Sequence, residues 1–263
     1  MKINYNSIQI FVVEDEQAMS KKAANMVAGQ IHLKSDSILG LATGSTPEGM
    51  YKNLVQMHRD GDLDFSDVTT FNLDEYEGLS PDNCHSYAWY MDHHLFGQVN
   101  VNEYRIHIPM SSGLDVDAVC ARYDKLIEES HNIDLQILGI GTNGHIGFNE
   151  PDVKFEAGTH LVSLDEETIE ANSRFFESTI DVPKRAISMG IRNIMHAKKV
   201  ILMANGANKG KAIKAMVLGP VTPELPASVL QLHNDVTMIV DKSAGKLLLE
   251  AFNQKGITTL SKV

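Results

Sequence analysis

Short apolar runs alternate with amphipathic stripes along this chain, and that alternation constrains the fold more than any other feature. Residues 8–13 read as a strand; after the acidic turn Glu14-Asp15-Glu16, suited to a helix start, Met19, Ala23, Met26 and Val27 fall on one helical face. A strand at 37–41 precedes a helix striped by Met50, Leu54 and Met57, and a strand at 68–72 precedes a helix at 86–96. A strand at 104–108 leads to a helix carrying Val119, Tyr123, Leu126 and Ile127, and then to the apolar run 135–138. Further strands are expected at 160–164, 186–189, 200–203 and 236–240, with a helix at 165–176 and another after the last strand. Strands separated by helices must cross over and pair in parallel. The expected class is therefore α/β, an open, largely parallel sheet with helices on both faces, a Rossmann-like layered fold.

Length and charge narrow the possibilities further. The 263 residues contain no linker, no low-complexity segment and no repeat of fixed period, so residues 1–263 are expected to form one catalytic domain. A formal net charge of -11 without a Lys/Arg cluster argues against nucleic acid or an anionic membrane as partner. Two cysteines, Cys84 and Cys120, lack the spacing of a zinc site and the density of a disulfide scaffold. The first apolar run is too short for a signal-peptide core, and none approaches membrane length. A soluble cytoplasmic protein is the expectation, with a homo-oligomer left open.

Chemistry concentrates in the stretch Asp134 to Pro151, DLQILGIGTNGHIGFNEP. Residues 135–138 suit a strand buried on both faces, and the loop that follows holds Asn143, His145, Asn149 and Glu150, groups that move protons or orient groups that do. In an open α/β sheet such a loop lies at the carboxyl edge, where ligands bind. Gly139-x-Gly141-x-x-Gly144 matches the dinucleotide fingerprint in form, with Asp165 at about the spacing of a ribose-binding acid. The match fails in context, because Gly147 and Pro151 follow where a long helix would have to begin.

Three other segments carry candidates. Ala42-Thr43-Gly44-Ser45-Thr46-Pro47 ends a strand and enters a helix, with Thr46 suited to the N-cap and Pro47 to the first helical position. It reads either as a simple cap or as a phosphate site built from unpaired N–H groups, and it lacks the Gly-Lys-Ser/Thr of a nucleotide P-loop. Asp74 and Glu75 follow a strand and are either a solvated acidic loop or a carboxylate base at the sheet edge. Arg174 among aromatics and Lys209 near a helix start are candidate anion ligands.

Together Leu41 to Pro47, Phe71 to Tyr76 with Gly78-Leu79, Gly139 to Gly141 through Gly144 to Pro151, and Asn172 to Phe176 closely resemble the glucosamine-6-phosphate deaminase family, in order and over nearly the whole chain. The resemblance implies ring opening of glucosamine-6-phosphate, aldose-to-ketose isomerisation and release of ammonia to give fructose-6-phosphate, without cofactor or metal. It gives Asp74 the role of the base and His145 that of the ring-opening proton shuttle, with Glu150 and Asn143 orienting the histidine. Thr43, Gly44, Ser45, Thr46, Arg174 and Lys209 would hold the phosphate.

Two departures stand out. Some members carry Asp where this chain has Asn143, whose carbonyl is expected to accept a hydrogen bond from the imidazole without adding charge. Members activated by N-acetylglucosamine-6-phosphate use cationic residues at positions that match His160 and Val162, so an unregulated enzyme is expected. Residues 152–158 are a candidate lid. The competing readings are a 6-phosphogluconolactonase-like hydrolase and a non-catalytic sugar-phosphate sensor, which would need a DNA-binding module not visible in the sequence.

Overall fold

The computed structural model describes residues 1–111, 115–173, 176 and 182–257. Its first half runs β1 (Lys2–Tyr5), β2 (Ile8–Val13), α1 (Glu16–Leu33), β3 (Ile38–Leu41), α2 (Ser45–Arg59), β4 (Thr69–Asn72), β5 (Asp74–Tyr76), α3 (Tyr87–His94), β6 (Ile106–His107) and α4 (Val116–Glu129). The second half runs β7 (Leu135–Leu138), β8 (His160–Ser163), α5 (Glu166–Asn172), β9 (Arg185–Ser188), α6 (Ile191–His196), β10 (Val200–Ala204), α7 (Gly210–Leu218), β11 (Val236–Asp241) and α8 (Lys242–Gln254).

The apolar runs pair as their burial requires. Among the described residues, eight strands form one sheet in the order β1-β2-β11-β10-β7-β3-β4-β6, parallel throughout except for the β1–β2 hairpin. Every residue of β3, β7 and β10 is buried, as expected of central parallel strands covered by helices on both sides. Met19, Ala23 and Val27 of α1 and Met50 and Leu54 of α2 pack into the same core, so the sequence periodicity found the right faces. Asp15 starts α1 by accepting the Ala18 N–H at 2.8 Å, as its acidic turn suggests. No helix among the described residues is long and apolar enough to cross a membrane.

Strand order decides where a ligand can sit. From β3 the chain moves outward through β4 to β6, whereas from β7 it moves the other way through β10 to β11. The loops leaving β3 and β7 therefore part from each other at the carboxyl edge and open a crevice between them.

Several expectations are corrected. Residues 74–76 form a strand, and β5, β9 and β8 make a separate antiparallel sheet in that order, so the runs near 160 and 186 do not extend the main sheet. Two of the three β5 residues are acids, so no apolar alternation marks them. This sheet has its own small core of Tyr76, Phe148, Leu164 and Ala186. The strand near 104 shrinks to Ile106–His107 because a 3-10 turn, Glu103–Arg105, takes up its start. β1 pairs at the sheet edge despite its polar sequence. Finally, α2 is capped by Gly44 rather than Thr46, whose hydroxyl is engaged elsewhere.

Candidate active site

The carboxyl ends of β3, β4, β7 and β10 surround a cavity of about 380 Å³. Thr43, Gly44, Ser45, Thr46, Asp74, His145 and Lys209 all line it, although they come from four segments far apart in the chain. Asn143 and Glu150 lie behind His145 and do not reach the cavity wall. Arg174 lies outside the described residues.

The loop after β7 is shaped by two glycines. Gly144 has φ of 91°, a conformation that a side chain resists, and a Cβ there would collide with Leu225. A Cβ on Gly141 would come within 2.7 Å of the His145 ring, so the bare backbone makes room for the imidazole. Farther along, Asn149 Nδ2 donates to Ile146 O at 2.8 Å and to Met189 O at 2.9 Å, tying the loop to the chain beyond β9.

His145 is held by a carboxylate. Its Nδ1 lies 3.0 Å from Glu150 Oε2, and Glu150 also accepts from Asn143 Nδ2 at 2.8 Å and from the Thr168 hydroxyl at 2.6 Å. Burial works to raise the Glu150 pKa, yet the bonds from His145, Thr168 and Asn143 hold it below its ordinary value. An ionised carboxylate can only accept, so Nδ1 carries the imidazole proton and the lone pair of the neutral ring is on Nε2. The expected bond from the imidazole to Asn143 is not formed: Asn143 Oδ1 accepts the His145 backbone N–H at 3.1 Å instead. With Glu150 already at Nδ1, the amide serves best by bracing both backbone and carboxylate.

Asp74 lines the same cavity as His145. It is 6% exposed, and a Cβ on Gly147 would lie 3.6 Å from its Oδ2, so the carboxylate packs against the loop just beyond His145. Burial first, and the neighbouring Glu75 second, push its pKa up to about 8. Glu75 points away and accepts the N–H groups of Tyr76, Tyr87 and Ala88 at 2.8, 2.9 and 2.8 Å. It thereby ties β5 to the start of α3.

Tyr76, Tyr87 and Phe148 pack with ring centroids 4.8 to 6.0 Å apart, making an apolar wall beside Asp74. Asn172 Nδ2 donates to the Tyr76 hydroxyl at 3.0 Å, and Tyr87, Thr168 and Asn172 line the cavity. Thr168 and Tyr87 were not recognisable in the sequence, since an isolated Thr in a helix or a Tyr at a helix start carries no local signal. The same holds for Asn205 and Asn208, which line the cavity near Lys209.

The segment 152–158 borders a different cavity of about 300 Å³. At its far end Asp124 of α4 accepts from the Thr159 N–H at 3.0 Å, the Thr159 hydroxyl at 2.5 Å, Asn193 at 2.6 Å and Arg192 at 3.0 Å. That end is clamped between α4 and α6.

Comparison with known proteins gives concordant results. The family model described as glucosamine-6-phosphate isomerases/6-phosphogluconolactonase matches residues 14–239. A glucosamine-6-phosphate deaminase of Halothermothrix orenii is 54% identical over 241 residues, covering 92% of this chain and 100% of the relative. One of Clostridium acetobutylicum is 55% identical over the same length and coverage. A solved monomeric glucosamine-6-phosphate deaminase superposes with a TM-score of 0.88 at 42% identity, covering 90% of this chain and 99% of the other. A 6-phosphogluconolactonase from Leishmania guyanensis superposes with a TM-score of 0.68 at 20% identity, a likeness of fold alone, covering 90% of this chain and 97% of the other.

Proposed function

This chain belongs to the glucosamine-6-phosphate isomerase/6-phosphogluconolactonase family, and from that premise we infer that it converts glucosamine-6-phosphate to fructose-6-phosphate and ammonia. The observation that carries the reading is that Asp74 and His145 open onto one cavity that the Thr43-to-Thr46 turn and Lys209 also line. A single hexose phosphate can reach all of them.

The chemistry follows from the groups present. His145 Nε2 shuttles the proton from the C1 hydroxyl to the ring oxygen as the C1–O5 bond breaks, and Glu150 stabilises the transient imidazolium. Asp74 takes the C2 proton and returns it to C1 while the substrate ammonium gives up one proton and O1 gains one, so that the C1 aldehyde becomes an alcohol and C2 an iminium. Water adds at C2, and ammonia leaves. Raised basicity suits Asp74 to pulling a proton from carbon, and the positive nitrogen beside it favours the ionised carboxylate once substrate is bound. Asn143 and Thr168 hold Glu150, and through it the imidazole, in place.

The phosphate is held by Thr43, Gly44, Ser45, Thr46 and Lys209, with Arg174 added by the family resemblance. The same reading makes this a cytoplasmic enzyme of amino-sugar catabolism, and the free thiols of Cys84 and Cys120 are in keeping with a reducing compartment. The test is a product assay with two substrates. Glucosamine-6-phosphate should yield fructose-6-phosphate and ammonia in equal amounts. Accelerated hydrolysis of 6-phosphogluconolactone with no ammonia from the amino sugar would overturn it.

A further inference from the structure

Asn205 has no part in the chemistry above. It follows β10 directly and lines the cavity next to the turn that enters α2. The Thr46 hydroxyl donates to its Oδ1 at 3.2 Å, which joins the first turn of α2 to the loop before α7. That bond has two consequences. Thr46 has spent its only hydroxyl proton, so its side chain cannot also donate to an anion. The acceptor end of the Asn205 carboxamide is engaged, so the end it has to offer the cavity is Nδ2 with two N–H donors.

The backbone beside Asn205 is unsuited to the same task. Gly206 directs its N–H to the Asp241 carboxylate, at 3.2 Å from each oxygen, and Asp241 also accepts the Ala244 N–H at 2.7 Å to start α8. The Gly206 N–H is thus committed to Asp241, while the Asn205 side chain still has donors to offer at this point of the wall. A neutral amide suits the position, because it adds donors without a charge that would pair with Asp241.

We propose that Asn205 is a binding residue for the phosphate of the bound sugar, its Nδ2 donating to a phosphate oxygen while Thr46 fixes the orientation of the amide. The proposal rests on the reading of the reaction only for the identity of the ligand, a phosphate monoester lying between the α2 and α7 loops.

The experiment compares wild type with Asn205→Asp and Asn205→Ala. Asp keeps the shape and the acceptor for Thr46 but replaces the donors with a charge that repels phosphate. KM for glucosamine-6-phosphate should rise about 100-fold in Asn205→Asp and about 10-fold in Asn205→Ala, with kcat little changed. Protection against thermal unfolding by inorganic phosphate should fall in the same order, a readout that needs no turnover. Asn205→Ser, small and neutral, replaces the Asp variant if that one does not fold.

Wild-type KM and wild-type phosphate protection in the variants would overturn the proposal and leave the reaction untouched. So would a loss confined to kcat, which would mark a structural role. If phosphate protection falls as expected but wild type releases no ammonia, the proposal stands and the reading of the reaction fails.

Discussion

Replacing Asp74 by Asn should make the protein more stable and the enzyme inactive, and the two effects have one cause. The folded state raises this carboxyl from 3.8 to about 8, so it binds its proton more tightly than the unfolded chain does. The resulting stability is complete below pH 3.8 and is lost progressively as pH rises to about 8, where the buried carboxylate has ionised. At about 1.36 kcal/mol per unit the upper limit is about 6 kcal/mol, and relaxation of the interior around the charge reduces the expected cost to about 2–3 kcal/mol. Asn does not titrate. Its advantage over Asp should therefore grow between pH 5 and 8, by about 5–10 °C in the melting midpoint at roughly 2–4 °C per kcal/mol. Differential scanning fluorimetry of both proteins across that range reads the effect directly. A midpoint difference that stays flat from pH 5 to 8 would refute the claim that Asp74 is buried at an energetic cost. Turnover should fall about 10²- to 10⁴-fold, as expected for loss of a general base. In wild type, kcat/KM should rise with pH toward about 8 as free Asp74 ionises.

Three further outcomes are expected. Gly141→Ala puts a Cβ within 2.7 Å of the His145 ring, so kcat should drop by up to about 100-fold with KM less affected, measured in steady-state kinetics. Asp124→Ala leaves Thr159, Asn193 and Arg192 without their shared acceptor, and urea titration should register a loss of about 2–4 kcal/mol. The rate should depend hyperbolically on substrate, since His160 and Val162 occupy β8 and Val162 packs against the small aromatic core; sigmoidal kinetics relieved by N-acetylglucosamine-6-phosphate would contradict this.

What local pattern carries, the amino-acid sequence alone determined. Burial periodicity is set by neighbours within one or two turns, so the strand at 135–138, the buried faces of α1 and α2 and the α/β class were legible before any coordinates. So was the crowding of His145, Asn143 and Glu150 into one loop. Tertiary structure decided what depends on distant partners. The acids at 74 and 75 look like a surface loop until β9 pairs with β5, and the strand order then brings Asp74 to the cavity that His145 lines. Its raised pKa comes first from that burial, which the chain around it does not reveal, and only second from the adjacent Glu75. The same is true of Thr168 on Glu150 and of Asn205 on Thr46, single polar residues whose partners lie 18 and 159 positions away. Hydrogen bonds of that kind follow from register and crossover, which no short window of sequence contains.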